Sequence, residues 1–377
     1  MDHKVLPDHL IYLTLHGSRA YGTETPQSDY DIRGVAIAPL KQYFGTRKWE
    51  QLQGSSPYLN GFLHKRFPEA PEDTDCEVFN IQKFLRLAAD SNPNILDILF
   101  AHPDDWLYAT PIWERIYEKR HSFLSMRVKF TYTGYAMSQL KRIETHRKWL
   151  LEPPKAKPSR AAFGLPEHKA LIPKDIQDLA ESMIQKKIQE WQLDSIREHL
   201  SEDEREEFKA NLAGYFEMVH GRPFEQEGSH EREQAAIQVG IHKELYKKLD
   251  SERRYKQAMH HWKQYQGWLK NRNPARAKLE KEFGYDCKHA SHLVRLLLSA
   301  EELLSTGDLS VRHPHAKLLR EVRGGAWNYD ELIAWANEQD AKIQELAKLK
   351  KLPKSPDREM LDQFATDLIF SFYGVSV

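Results

Sequence analysis

The pattern of apolar and polar positions changes period once along this chain. Over residues 8–100, short apolar runs alternate with Gly, Pro and polar turns; from about 110 onward, apolar positions recur at helical spacing. In the first stretch Leu10–Leu15 reads as a buried strand, followed by a glycine turn and a short helix. Tyr30–Ala38 reads as a second strand, ended by Pro39. Cys76–Ile81 reads as a third, with Glu77, Phe79 and Ile81 on one face and Cys76, Val78 and Asn80 on the other. A helix over 82–90 should stop at Ser91-Asn92-Pro93-Asn94 and restart over Ile95–Phe100. Residues 40–75 carry Pro, Gly and Ser and should hold a loop and a short hairpin, Leu59–Phe67.

The second stretch predicts helices over 121–150, 174–198, 200–220, 230–270, 286–305, 328–348 and 357–373. Pro153, Pro154, Pro158 and Pro166 mark an irregular connection between the first two. Residues 174–270 are strongly charged with mixed signs, the pattern of a solvated long-helix surface. The expected architecture is α+β: a mixed sheet with helices over 1–115, then a mostly α-helical domain over 116–377 carrying the charged insert at about 174–270.

Composition narrows the class without naming it. The 55 basic residues balance the 55 acidic ones, which argues against a generally basic nucleic-acid coat but leaves local patches open. Cys76 and Cys287 are the only cysteines, so no disulfide framework is implied and a reducing cytoplasm is the expected location. No apolar run approaches the roughly 18–20 residues of a membrane span, and the N-terminal residues show no signal-peptide pattern.

Residues 16–34 concentrate the candidate chemistry. Asp29 and Asp31 stand two apart, and side chains two apart on a strand share a face. Two carboxylates on one face repel unless a cation lies between them; Mg2+ takes oxygen ligands, few from protein and the rest from phosphate and water. Gly17 and Ser18 fall where the first strand turns into a helix, where backbone amides favour a phosphate and glycine permits close approach. The combination reads as a triphosphate site beside a two-metal site. The blander alternative is a surface turn with solvated acids. A Walker A loop is absent. Two-metal transfer needs a further acid on a neighbouring strand. Glu77, deeper in its apolar run, is the preferred candidate, with Asp75 as substitute and neither as the remaining possibility. Arg19 and Arg33 flank the carboxylates and would pair with them or reach the phosphates.

Gly17-Ser18 followed by Asp29-x-Asp31 resembles the signature of the DNA polymerase β-like nucleotidyltransferase superfamily. Gly-Ser-Arg-Ala-Tyr-Gly at 17–22 with Ser-Asp-Tyr-Asp-Ile-Arg-Gly at 28–34 is similar, more narrowly, to the predicted nucleotidyltransferases associated with RNA ligase (the RlaP or YcgL-like group). The likeness continues through Lys83-Phe84-Leu85, Asn92-Pro93-Asn94, His146–Leu150 with Pro153-Pro154, Phe163–Pro166, and Gly284–Leu297. It implies a polymerase β-like core, two Mg2+ ions (Mn2+ as a substitute), and a nucleoside triphosphate such as ATP as donor. By position, Gly17 and Ser18 would contact the triphosphate and Asp29 and Asp31 would bind metal, with Glu standing where many relatives carry the third Asp.

A second signal lies on the helix expected over 286–305. Lys288, His292, Arg295 and Ser299 form one narrow stripe beside a broad sector of Ala290, Leu293, Val294, Leu296, Leu297 and Leu304. The helix would bury its leucines and offer a cationic line to a triphosphate or RNA backbone, bordered by His289; an ordinary charged outer face is the alternative. Gln139, Arg142, His146 and Trp149 share another helix face, suited to clamping a nucleobase unless Trp149 belongs to a core. The histidines suggest no zinc site: His260-His261 and His313-x-His315 lack a closing set. Cys287 reads as structural.

The expected activity is metal-dependent transfer of a nucleoside monophosphate from an NTP to a hydroxyl, on an RNA (tRNA-like) end in repair or processing, with an RNA ligase as associate and no membrane partner. Transfer to a protein or small-molecule hydroxyl, or a degenerate nucleotide- or RNA-sensing fold, are the alternatives.

Overall fold

The computed structural model describes residues 6–375 except 27, 47, 73, 198–228 and 273. The helix expected over 200–220 lies outside the described residues. Contacts divide the chain into two compact units, residues 1–147 with 278–377, and residues 148–277.

The first unit is built on a mixed five-stranded sheet in the order β3-β4-β2-β1-β5: β1 Leu10–His16, β2 Asp31–Ala36, β3 Gln51–Gln53, β4 Asp75–Asn80 and β5 Trp106–Ala109. β1 is antiparallel to β2 and β5, β3 is antiparallel to β4, and β2 runs parallel to β4. The period of two sets what each face does. Leu13, Leu15, Ile32, Cys76 and Val78 point to one face and form a core with Leu59 and Leu63. Val35 and Phe79 point to the other and join a larger core that includes Phe84, Leu96, Trp113, Tyr132, Leu293 and Leu297. On that second face, the end of the sheet carrying Asp31, Arg33, Asp75 and Glu77 is polar.

The helices are mostly capped where local chemistry dictates. Asn80 ends β4 and its side chain accepts from Gln82 N, starting the Ile81–Ala89 helix. Asn92 caps Pro93–Leu99, so the expected stop and restart is present. The expected hairpin at Leu59–Phe67 is instead a helix, Pro57–Arg66: the Ser56 hydroxyl accepts from Leu59 N, and Pro57 occupies the first turn, where its missing N–H costs nothing. A Thr-Pro pair does the same at Thr110, where the hydroxyl accepts from Trp113 N and Pro111 opens the Pro111–Glu118 helix. The unit is completed by most of the Arg127–Leu151 helix and by Cys287–Thr306, Ala316–Arg323, Tyr329–Lys348 and Arg358–Phe372.

In the second unit, Lys174–Arg197, Ser229–Gln238 and Lys243–Asn271 enclose a small core of Ala180, Ile184, Ile188, Ala235, Ala236 and Leu249. The single helix expected over 230–270 is broken. Gly240 adopts φ +87, its N–H donates to Ile237 O, and Ile241 N–H reaches back to Ala236 O, a left-handed helix end that favours glycine. Buried Glu252 accepts a two-pronged hydrogen bond from Arg160 and a third from Leu171 N. Trp149 is buried beside His261, Tyr265 and Trp268, with its indole N–H donating to His261 Nε2. It is therefore a core residue of this unit, not an exposed platform for a nucleobase.

Candidate active site on the polar face of the sheet

β1 ends at His16, directly opposite Asp31 on β2. The chain then turns over the Asp31 carboxylate. Gly17 sits at φ +65, and a Cβ there would fall 2.1 Å from Asp31 Oδ2. The backbone angle favours glycine, and any side chain there would displace the Asp31 carboxylate. The short Gly17–Tyr21 helix follows, and its end is closed by Gly22, at φ +69, and by Thr23 N donating to the Ser18 carbonyl.

Arg19 is occupied by this loop. Its Nε donates to Asp29 O, its Nη2 to Ser28 O, and its guanidinium lies 3.6 Å over the Tyr30 ring. It thus shapes the segment that carries Asp29. Asp29 is exposed and precedes the strand, which begins at Asp31. Its charge still reaches Asp31. Burial pushes the Asp31 carboxyl above its ordinary range; Arg33 and Lys288 pull it down, and Asp75 and Asp29 push it up. A half-buried carboxylate crowded by two others is stabilised by a bound cation, and the donor set is all oxygen, as Mg2+ prefers.

The parallel register places Asp75 opposite Asp31 and Glu77 opposite Arg33. Both acids share the Asp31 face, but Arg33 is engaged with them. Its Nη2 is 2.9 Å from Asp75 Oδ2, its Nη1 donates to the Ile32 and Asp75 carbonyls, and its Nε lies 3.9 Å from Glu77 Oε2. Glu77 also accepts from Gln53 Nε2. Asp75 is thus the acid nearest Asp31 in register, and Glu77 sits one side-chain step deeper.

The cationic stripe on Cys287–Thr306 divides. The field of Lys288 reaches Asp31, and that of His292 reaches His16. Arg295 is buried, at 5% exposure. Its Nη1 lies 2.9 Å from Asp97 Oδ2, and its guanidinium sits 4.1 Å over the ring of Tyr21, whose hydroxyl donates to the same Asp97 oxygen. The expected phosphate contact from Arg295 is therefore replaced by a buried ion pair that fastens this helix to Pro93–Leu99. Ser299 is buried too, so the stripe faces outward only at its start. Burial, with the nearby charges of Arg33 and Arg295, lowers His16 to about 3; burial, with Arg295 and Lys288, lowers His292 to about 3. Both rings are neutral at neutral pH, and His16, opposite Asp31, adds a polar group there without extra charge. Burial raises the Cys287 thiol to about 11, which removes it as a nucleophile.

His16 and Asp97 carry little local signal: His16 is marked only by its place before Gly17, and the pairing of Asp97 with Arg295 bridges 198 positions.

A family model described as the RNA repair pathway DNA polymerase beta family (RlaP) matches residues 2–190. That span includes Gly17, Asp29, Asp31, Asp75 and Glu77 but not the helix with Lys288. An uncharacterized 38.9 kDa protein in the nrdC-mobD intergenic region of Enterobacteria phage T4 is 29% identical over 125 residues, covering 33% of this chain and 35% of that protein. The chain thus matches about a third of that relative's length. No solved structure matches significantly.

Proposed function

Because the chain belongs to the RNA repair pathway DNA polymerase beta family, we propose that it transfers a nucleoside monophosphate from an NTP to a hydroxyl at an RNA end. The observation that carries this reading is the Gly17 turn pressed against the Asp31 carboxylate, with Asp75 opposite and Lys288 within its field. The turn would present backbone amides and Ser18 to the triphosphate. Asp29 and Asp31, with Asp75 as the nearest third acid and Glu77 behind it, would hold two Mg2+ ions, or Mn2+ in their place. Bound there, such ions favour ionisation of the attacking hydroxyl and offset charge on the transferring phosphate. Arg33 holds Asp75 in place, and Lys288 and His292 supply donors from the facing helix. The acceptor hydroxyl attacks the α-phosphorus and pyrophosphate leaves. An RNA ligase would then act on the product end. No helix among the described residues is long and apolar enough to cross a membrane.

Incubation of the protein with α-labelled NTPs, Mg2+, total RNA and lysate tests the reading. Magnesium-dependent label in RNase-sensitive material is the expected result. Label in protease-sensitive material would identify a protein acceptor. Bound NTP with no transfer to any acceptor would reject the enzyme reading in favour of a sensor.

A further inference from the structure

Within the first unit, three further donor atoms from two helices converge. His146 lies near the end of the first unit's share of Arg127–Leu151; Asp286 and His289 lie at the start of Cys287–Thr306. One ligand atom from each falls within 4.8 Å of the others. Asp286 Oδ2 is 3.6 Å from His146 Nδ1 and 3.6 Å from His289 Nε2. These gaps exceed a hydrogen bond. They are close to the spacing of two atoms bound to one tetrahedral ion, about 3.4 Å for bonds of about 2.1 Å.

The surroundings orient the donors. His289 Nδ1 is 2.8 Å from Gln139 Oε1, an acceptor that places the proton on Nδ1 and turns the Nε2 lone pair toward Asp286. Asp286 is buried, and its other oxygen, Oδ1, accepts from Lys288 N and His289 N as the cap of the helix. That fixes the direction of Oδ2. A carboxylate held between two imidazoles, one oriented by a side-chain amide, matches the environment of a protein-bound transition metal.

We propose that His146, Asp286 and His289 bind one transition-metal ion of the zinc class, with Gln139 as the positioning residue and a coordination position left for water or an anion. Imidazole donors favour Zn2+, Co2+ or Ni2+ over Mg2+, so this ion differs in kind from one held by Asp29, Asp31 and Asp75. Binding would tie the Arg127–Leu151 helix to the start of Cys287–Thr306, two residues before Lys288.

The test is Co2+ titration of the full chain in excess Mg2+, read by visible absorption. One Co2+ per chain with d–d bands characteristic of nitrogen and oxygen ligands is expected, displaced by Zn2+ and unchanged by Asp31→Asn. His146→Gln and His289→Gln should abolish the bands, and Gln139→Ala should weaken binding by about 10–100-fold. Asp286→Asn, which retains a helix-capping side chain, should also lose them and guards against misfolding of the histidine variants. No d–d bands in the wild-type protein, or bands that persist in folded His289→Gln or Asp286→Asn, would overturn the proposal.

Discussion

Asp75 stands directly opposite Asp31 across the parallel β2–β4 ladder. Neighbouring strands are about 4.8 Å apart, so the two carboxylates can share an ion, whereas Glu77 is offset by a further two residues. Mn2+ binding, followed by electron paramagnetic resonance, should weaken at least about tenfold in Asp31→Asn and Asp75→Asn and change little in Glu77→Gln. The reverse order for the last two would assign Glu77 as the third acid.

Gly17→Ala forces a side chain into a left-handed backbone and onto Asp31 Oδ2. The backbone alone costs about 1–2 kcal/mol. Urea melts should register at least that loss, and nucleotide affinity should fall by more than stability alone explains, because the phosphate-facing turn moves.

Lys288 and Arg295 lie two helical turns apart but should behave differently. Removing Arg295 leaves Asp97 as a buried charge without its partner, so Arg295→Ala should cost about 3–5 kcal/mol in a denaturant melt. Lys288→Ala should keep wild-type stability within about 0.5 kcal/mol and lose NTP affinity in a fluorescence titration. Equal stability losses for both would refute the division of the stripe.

His16 and His292 have native values near 3, below the unfolded value of about 6.5. Between those limits the unfolded chain binds protons that the native state refuses, so stability falls as pH falls. The contribution is fully present above about pH 6.5 and declines by at most about 1.4 kcal/mol per pH unit for each ring. Chemical melts between pH 7 and 4 should show this slope, reduced in His292→Gln. A flat profile would contradict the burial of both rings in neutral form.

The legible parts of this molecule were local. Gly17, Asp29 and Asp31 lie within fifteen positions, and the period-two pattern of β2 and β4 places its acids on one face without knowledge of the rest. What is not legible depends on distance and on caps. The stripe on its own helix suggests a phosphate ligand in Arg295, because its partner, Asp97, lies 198 positions away. Depth in an apolar run favours Glu77 as the third acid, whereas the pairing of β2 with β4, which sets Asp75 opposite Asp31, is a property of two strands that neither shows alone. Asn60-Gly61 favours hairpins, yet Ser56 and Pro57 start a helix that carries through it. His146, Asp286 and His289 could not be grouped along the chain, because two helices bring them together.

The sheet-bearing unit is discontinuous: its core joins Ile11, Tyr12 and Phe84 to Leu293 and Leu297, with residues 148–277 spliced between. At roughly 5–20 residues per second, the ribosome delivers that interruption over on the order of ten seconds. During that time the apolar face of the nascent sheet has no leucine helix to cover it. Synthesis therefore passes through a window in which that apolar face lacks its leucine helix, and fragments ending near residue 190 should stay incompletely folded.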